Sequence, residues 1–290
     1  MTTRLVVEPL AGSFAARVSG MNDGALDEIS PADVEMLHEL WVNAAVLCFA
    51  EANLTSAGLV RLASMFGEVR PQPLQRDEYK VPGYPQLRVV SSAHLDTFGD
   101  GLPLRTGGSW HTDHSQLSHP PSGTILSAVQ IPGEGGGDTS FTDQRGAYDG
   151  LPVDVREDIE WLVGEHVYNS RYAVRRLQKL KPGEVPERAP SMHPLVRRHP
   201  ITGRKLLYFN PIRIERFVGL DDDTSQAILG NLLAHCSQEK YVYRHRWSPG
   251  DVLLWDNRQT MHMVDHDYVS DTERIMHRAL VYTGTEWGLT

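Results

Sequence analysis

The sequence predicts a mainly β protein, a sandwich or jelly roll with helices packed on the outside. Short apolar segments of strand length recur from about residue 86 onward, and Gly- and Pro-rich connections separate them. The chain contains 25 Gly and 18 Pro in 290 residues, which agrees with a large number of turns. Only a few segments have apolar residues at helical spacing, so the helices are expected to flank the β structure.

The N-terminal part of the chain alternates between the two kinds of element. The predicted order is strands at 5–18, a helix at 31–42, a buried strand at 45–49 and a helix at 55–66. Ser30 is a suitable cap for the first helix, and Leu37 and Trp41 fall on one of its faces. Gly67 follows the second helix as a stop. This part of the sheet is therefore expected to be covered by helices.

The rest of the chain is predicted as strands with two helical interruptions. The clearest strands are at 87–90, 124–130, 206–210, 241–247, 252–255 and 278–282, and the helices are at 147–163 and 223–237. Residues 175–191 contain Lys and Pro without periodicity, which indicates a surface insertion that could act as a lid. No repeat or long linker divides the sequence, so residues 1–290 are predicted to form a single domain.

Bulk properties exclude several classes of function. A net charge of −9 argues against nucleic-acid binding, which requires a clustered basic face. Cys48 and Cys236 are too few for a disulfide scaffold. Neither a signal peptide nor a transmembrane segment is recognisable in the sequence. We therefore expect a cytoplasmic protein with no nucleic-acid or membrane partner, and we also expect a homo-oligomer.

The first candidate for chemistry is a His-x-Asp pair. On an extended backbone, His111 and Asp113 point to the same side and can converge on one ion. His94 and Asp96 have the same spacing, so the pattern alone is weak evidence. Two His ligands and one carboxylate, with the remaining positions open, form the donor set of non-haem Fe(II) oxygenases. A second His elsewhere in the chain is therefore required.

Further motifs distinguish the His111 pair. They run in order as WHTD at 110–113, PPSG at 120–123, GGDT at 136–139, HPITGRKLL at 199–207, WDNR at 255–258 and RIMHRA at 274–279. This ordered set resembles the taurine dioxygenase and chlorophenoxyacetate dioxygenase family of Fe(II)- and 2-oxoglutarate-dependent enzymes. Six motifs in the family order are far more specific than any one of them.

The resemblance implies a double-stranded β-helix, the jelly roll of cupin-like proteins. It makes His111, Asp113 and His262 the iron ligands, and Arg274 with Thr139 the binding site of the distal carboxylate of 2-oxoglutarate. A guanidinium can hold a carboxylate with two charge-assisted hydrogen bonds. Arg278 lies four residues further on and should share a face with Arg274. In relatives that position binds the acidic group of the substrate. The implied cofactors are Fe(II), 2-oxoglutarate and O₂.

The substrate is predicted to be a small organic anion. Gln72 and Gly107 stand where the taurine enzyme has other residues, so taurine itself is not favoured. Arg278 is the expected anchor, and Gln72, Leu74, Tyr172 and Phe209 are the expected pocket contacts. An aryloxy- or alkyl-carboxylate is preferred, and a sulfonate or alkyl sulfate is the alternative in the same family.

Two hypotheses from other classes remain open at this point. A cupin-like metal hydrolase or isomerase would use the same ligands around Zn²⁺. That enzyme would have no use for Arg274 and Thr139. A catalytically silent binding module would be favoured if one of the three ligands were missing, and all three are present.

Overall fold

A computed structural model describes residues 5–10, 12–72, 77–93, 107–133, 135–168, 170–173, 189–265, 267 and 273–284. The helices are α1 (Asp23–Glu28), α2 (Pro31–Ala44), α3 (Ser56–Phe66), α4 (Gln144–Asp149), α5 (Val153–Ile159) and α6 (Asp222–Cys236). The strands up to the second half of the chain are β1 (Val6–Pro9), β2 (Ala15–Ser19), β3 (Val46–Phe49), β4 (Glu68–Val69), β5 (Lys80–Val81), β6 (Tyr84–Ser91), β7 (Gly123–Gln130) and β8 (Thr139–Asp143). The remaining strands are β9 (Val163–His166), β10 (Ser191–Pro194), β11 (Val196–Arg198), β12 (Lys205–Leu207), β13 (Ile214–Phe217), β14 (Val242–His245), β15 (Val252–Asp256), β16 (Thr260–Val264) and β17 (Ile275–Tyr282).

One large sheet forms the frame of the molecule. Its strand order is β1-β2-β3-β15-β7-β17-β6-β5, and β4 pairs with β17. Neighbours in this order are mostly far apart in the sequence, so the sheet is assembled by long-range pairing. A smaller sheet with the order β14-β8-β16 lies apart from it. The described residues also form a sheet of β10-β9-β13 and a pair of β11 with β12.

The large sheet buries both of its faces. Leu254 of β15 packs with Leu37 and Phe66 of the N-terminal helices. Its neighbours Leu253 and Trp255 belong to a second core that includes Phe141 of β8, in the smaller sheet. This alternation follows from the two-residue period of a strand, which sends successive side chains to opposite faces. The predicted helix-flanked jelly roll is confirmed.

The predicted helix at 147–163 is wrong as a single element. The structure has α4 and α5 there, and residue 163 already begins β9. Pro152 precedes α5 and cannot donate the hydrogen bond that a continuous helix would require. Gly150 is needed because a Cβ atom there would lie 1.7 Å from the Tyr241 hydroxyl. The break allows the chain to change direction before it enters β9.

The predicted start of α2 is confirmed by a reciprocal pair of capping hydrogen bonds. Asp33 N donates to Ser30 Oγ over 3.2 Å, and Ser30 N donates to the Asp33 carboxylate over 3.1 Å. Ser30→Ala is therefore expected to lower the free energy of unfolding by about 1 kcal/mol, because a helix N–H loses its acceptor. Chemical denaturation measures this change. Ser30→Thr keeps the hydroxyl group and should stay near wild type, whereas equal losses in both variants would contradict the capping role.

Two sequence predictions fall on residues outside the described ranges. They are most of the insertion at 175–191 and the residue Leu74. No helix in the described part of the chain is both long and apolar enough to span a bilayer. The single-domain assignment of residues 1–290 stays a prediction.

Candidate metal centre and cavity

A cavity opens between the large sheet and the smaller one. The large sheet contributes Leu126 and Arg278 to its wall, and the smaller sheet contributes Thr139, His262 and Val264. The cavity encloses about 930 Å³, including its open mouth. The space between the two sheets is therefore a candidate site for a small molecule.

Two histidines and one aspartate meet at the wall of this cavity. His111 forms an isolated antiparallel bridge with His262 of β16, through backbone hydrogen bonds of 3.0 and 2.8 Å. Asp113 follows two residues later and lines the same cavity. The candidate ligand atoms of the three side chains all lie within 4.8 Å of one another. The fold therefore brings together residues that are about 150 positions apart in the sequence.

Hydrogen bonding and burial prepare the two imidazoles. His111 Nδ1 lies 2.7 Å from the Ser109 carbonyl oxygen, which can only accept, so Nδ1 carries the hydrogen and Nε2 keeps its lone pair. Burial lowers the pKa of His111, and burial together with His111 lowers the pKa of His262 to about 3. Both rings are therefore neutral near pH 7, as metal ligation requires.

A chain of buried polar groups orients the aspartate. Thr124 Oγ1 donates to Asp113 Oδ2 over 2.7 Å and accepts from Asn257 Nδ2 over 2.8 Å. Trp255 Nε1 in turn donates to Asn257 Oδ1 over 2.9 Å. Burial alone would raise the pKa of Asp113, but Arg278 and the two imidazoles outweigh it and hold the pKa well below its usual range. The carboxylate is therefore ionised and fixed in orientation.

The WDNR motif is a buried turn between β15 and β16. Arg258 donates to both oxygens of Asp256 at 2.8 and 2.6 Å, and His199 lies 3.0 Å from the same carboxylate. All three side chains are almost fully buried. This network holds together the two strands that carry Trp255 and His262, so the motif has a structural role.

The two residues predicted to bind 2-oxoglutarate also line the cavity. Arg274 is 5% exposed, and its Nε donates to the Gly137 carbonyl oxygen over 3.1 Å. Gly137 has a φ of 69°, a left-handed conformation that glycine adopts at little cost. Thr139 accepts a hydrogen bond of 3.0 Å from Trp247 Nε1. The GGDT motif therefore fixes the guanidinium and places the hydroxyl on the same wall.

Arg278 projects into the cavity on the same face as Arg274, as strand parity predicts. Its Nη1 lies 3.4 Å from Asp113 Oδ1, and its buried Nε has no hydrogen-bond partner among the described residues. Arg88 of β6, which the sequence analysis did not single out, pairs directly with Arg278 and lines the cavity as well. The sequence did contain a signal for Arg88. Its neighbours Leu87 and Val89 are apolar and pack on the opposite face of the sheet, so alternation along β6 directs Arg88 to the cavity face.

Three other predicted substrate contacts lie in the described part of the chain, and none of them lines the cavity. The Gln72 amide donates to the backbone carbonyls of Gln86 and Arg278, because the end of its segment runs beside β6. Phe209 is 1% exposed and packs in a separate core with residues of α4 and α6. Tyr172 lies beside Arg171, away from the cavity wall. Arg171 itself forms ion pairs with Glu215 and Asp222.

Together, the fold and the cavity define a jelly-roll protein with a two-histidine, one-carboxylate cluster, the donor set of non-haem Fe(II) oxygenases. Residues 7–280 match the family described as taurine catabolism dioxygenase TauD, TfdA family. The chain therefore belongs to this family of dioxygenases.

Similar proteins agree with this assignment. The chain is 34% identical over 274 residues to the alpha-ketoglutarate-dependent 2,4-dichlorophenoxyacetate dioxygenase of Cupriavidus pinatubonensis, covering 89% of this chain and 91% of the relative. It is 30% identical over 277 residues to an alpha-ketoglutarate-dependent sulfate ester dioxygenase of Pseudomonas putida, with coverages of 91% and 85%. The crystal structure of AAD-2 in complex with Mn(II) and N-oxalylglycine superimposes with a TM-score of 0.80 at 28% identity, covering 97% of this chain and 98% of that one.

These findings confirm the predicted family, fold class and enzyme class. An Fe(II)- and 2-oxoglutarate-dependent dioxygenase is therefore the class of enzyme to which the chain belongs. The hydrolase, isomerase and silent-module hypotheses are not favoured by any of these proteins.

Proposed function

We propose that this enzyme hydroxylates a small organic anion at an iron held by His111, Asp113 and His262. The observation that carries this assignment is the convergence of their ligand atoms within 4.8 Å in the wall of a cavity. Two neutral imidazoles and one ionised carboxylate suit Fe(II), and they leave coordination positions open. The relatives that depend on alpha-ketoglutarate support the same metal chemistry.

Arg274 and Thr139 would hold 2-oxoglutarate by its distal carboxylate. N-oxalylglycine, bound in the AAD-2 structure, has the skeleton of 2-oxoglutarate with one methylene replaced by NH. The hydrogen bond from Arg274 to Gly137 fixes the plane of the guanidinium before 2-oxoglutarate binds. Binding therefore does not have to include the entropy cost of ordering this side chain. O₂ would be the oxidant, and bound iron and 2-oxoglutarate would activate it. One oxygen atom would go to the substrate as hydroxyl and the other to succinate, with release of CO₂.

The chain's own residues position the substrate and exclude water. Arg278 anchors the acidic group, since it projects from β17 into the cavity beside Asp113. Leu126, Trp255 and Val264 provide an apolar wall that would keep bulk water from the reacting C–H bond. A carboxylate is the preferred acidic group. A sulfate is the second candidate for the acidic group, because the relative from Pseudomonas putida is a sulfate ester dioxygenase.

The function is tested by succinate release. Purified enzyme with Fe(II), ascorbate and 2-oxoglutarate is screened against aryloxy- and alkyl-carboxylates, sulfonates and alkyl sulfates. At least one anion should stimulate succinate formation and yield a hydroxylated or fragmented product. Stimulation by uncharged analogues alone would contradict the anionic substrate, and turnover without 2-oxoglutarate would contradict the reaction class.

Arg278→Ala is expected to separate substrate turnover from cofactor binding. Binding of Fe(II) and 2-oxoglutarate should survive, because Arg274 lies at a different position, just before β17. Substrate-stimulated succinate formation should collapse and leave only slow uncoupled decarboxylation. Arg278→Lys should rescue it in part, since an ammonium cannot form the planar two-point contact. If Arg278→Ala lowered only thermal stability and left the ratio of coupled to uncoupled turnover unchanged, Arg278 would not be the anchor.

Thr124→Val is expected to weaken metal binding although Thr124 is not a ligand. The valine keeps the shape of the side chain but removes the hydrogen bond that orients Asp113. Loss of such a partner typically reduces metal affinity about 10–100-fold. Competition with a fluorescent chelator measures the affinity, and Thr124→Ser is the matched control because it keeps the hydroxyl. Equal weakening in both variants would show that packing, and not the hydrogen bond, matters at this position.

A further inference from the structure

Arg88 and Arg278 stand side by side on one face of the large sheet. They are direct cross-strand partners in the antiparallel pair of β6 with β17. Leu87 and Ala279, their neighbours in sequence, pack in the core on the helix side of the sheet. By alternation both arginine side chains project to the other side, and both line the cavity. Two guanidinium groups therefore face the metal cluster from adjacent positions.

This pair is unfavourable without a ligand. Like charges directly opposite each other on neighbouring strands destabilise a sheet. In the described part of the chain, no carboxylate lies within 4.0 Å of Arg88, and its guanidinium instead lies 4.6 Å from the centre of the Tyr79 ring. Burial, followed by the proximity of Arg278, lowers the pKa of Arg88. A bound anion would remove the repulsion.

The charges around the cavity also do not balance. Among the residues that the structure describes, Arg88, Arg274 and Arg278 line the cavity, and Asp113 is the one carboxylate that does. With the divalent metal of the proposed function, the positive groups carry five charges. Asp113 and doubly ionised 2-oxoglutarate bring three negative charges. Two positive charges remain beside the position of the primary substrate.

We infer that Arg88 and Arg278 form a two-guanidinium subsite for a substrate that carries two negative charges close together. This inference rests on the proposed function and narrows its substrate class. A single carboxylate can pair with one guanidinium, as proposed for Arg278, and would leave Arg88 without a counter-charge. A phosphonate or a malonate-type dicarboxylate can contact both groups at once. Arg88 is thus a specificity-determining residue, distinct from the anchor at Arg278.

The test compares anions of the same shape and different charge. Protein loaded with Mn(II) and 2-oxoglutarate is titrated by calorimetry with 3-phenylpropionate and benzylmalonate. A second pair is 2-phenylethanesulfonate and 2-phenylethylphosphonate, at a pH where the phosphonate is doubly ionised. The dianion of at least one pair should bind about tenfold or more tightly than its monoanion. Equal affinities within both pairs, or no binding by any probe, would overturn the inference.

Variants then assign the preference to Arg88. Arg88→Gln should abolish the preference for dianions and leave monoanion affinity within about threefold of wild type. Lys80→Gln is the matched control, because Lys80 is the cross-strand partner of Arg88 on β5 and lies outside the cavity wall. That control should keep the preference. An unchanged preference in Arg88→Gln would show that Arg88 is not part of the subsite.

Two further readouts separate the remaining explanations. Without ligand, Arg88→Gln should raise Tm by roughly 1–4 °C, because the repulsion from Arg278 is removed. An arginine with a merely structural role would lower Tm when replaced. Titration of 2-oxoglutarate into the same Mn(II)-loaded protein tests the proposed function on its own. If 2-oxoglutarate did not bind in that titration, the proposed cofactor site would be refuted. The two-guanidinium subsite is tested separately, by the difference in affinity between dianions and monoanions.

Discussion

Replacing His262 with alanine should abolish Fe(II)-dependent turnover while the protein still unfolds cooperatively. His262 would supply one of only three protein ligands, and its ring lies 4.2 Å from that of His111, centre to centre. Loss of a group that merely orients a ligand costs about 10–100-fold, so loss of the ligand itself should exceed that range. The same result is expected for His111→Ala. The measurement is succinate formation at saturating 2-oxoglutarate, with metal content determined in parallel.

The matched control is His119→Ala, since His119 is exposed and lies outside the cluster. It should retain activity and metal content. Full activity in either His111→Ala or His262→Ala would refute the ligand assignment. The competing pair His94 and Asp96, which lies outside the described residues, would then be the next pair to test.

Arg274→Ala should raise the 2-oxoglutarate requirement steeply. Removing one partner of a buried, hydrogen-bonded charge pair costs about 2–5 kcal/mol. This corresponds to a rise in Kd of about 30-fold to 5,000-fold. Arg274 is nearly buried, so little water is available to replace the lost contact. Calorimetric titration of 2-oxoglutarate into Mn(II)-loaded protein gives the value directly, without a need for the natural substrate.

Two variants bracket this effect. Arg274→Lys keeps the charge but loses the fork, so its Kd should lie between those of wild type and Arg274→Ala. Thr139→Val should cost less, about 1.5–3 kcal/mol for a hydrogen bond to a charged group. It should also lower Tm, because Trp247 Nε1 loses its acceptor. A wild-type Kd in Arg274→Ala would show that the carboxylate is anchored elsewhere.

One half of the candidate metal cluster could be predicted because His111 and Asp113 are close in the sequence. The spacing of His111 and Asp113 already sends both side chains to one side of an extended backbone. The resemblance to the family, which the ordered motifs carry, then singled out His262 among the other histidines. Arg274 followed from the resemblance to the family, and strand parity then placed Arg278 on the same face. Both line the cavity.

The substrate pocket was harder to predict because its walls come from pairing between distant strands. Arg88 is opposite Arg278 only through the register of β6 against β17, which is set over 190 residues of separation. Phe209 and Gln72 carried plausible chemistry but are committed elsewhere, one to a core and one to backbone carbonyls. These contacts are made with residues that are distant in the sequence, so the residues next to Phe209 and Gln72 do not indicate them.

The sequence by itself determined the helix-flanked β architecture and the family, because strand period, capping residues and the ordered motifs can be recognised without the fold. The ligand residues of the candidate metal site stay a prediction. Only the tertiary structure decided which cations surround the substrate position. The pairing of β6, β17 and β7 places Arg88, Arg278 and Leu126 in one row across the sheet. Register is selected by the burial of both sheet faces, which is a property of the whole fold. The charge of the pocket is therefore a tertiary property, although each arginine is visible in the sequence.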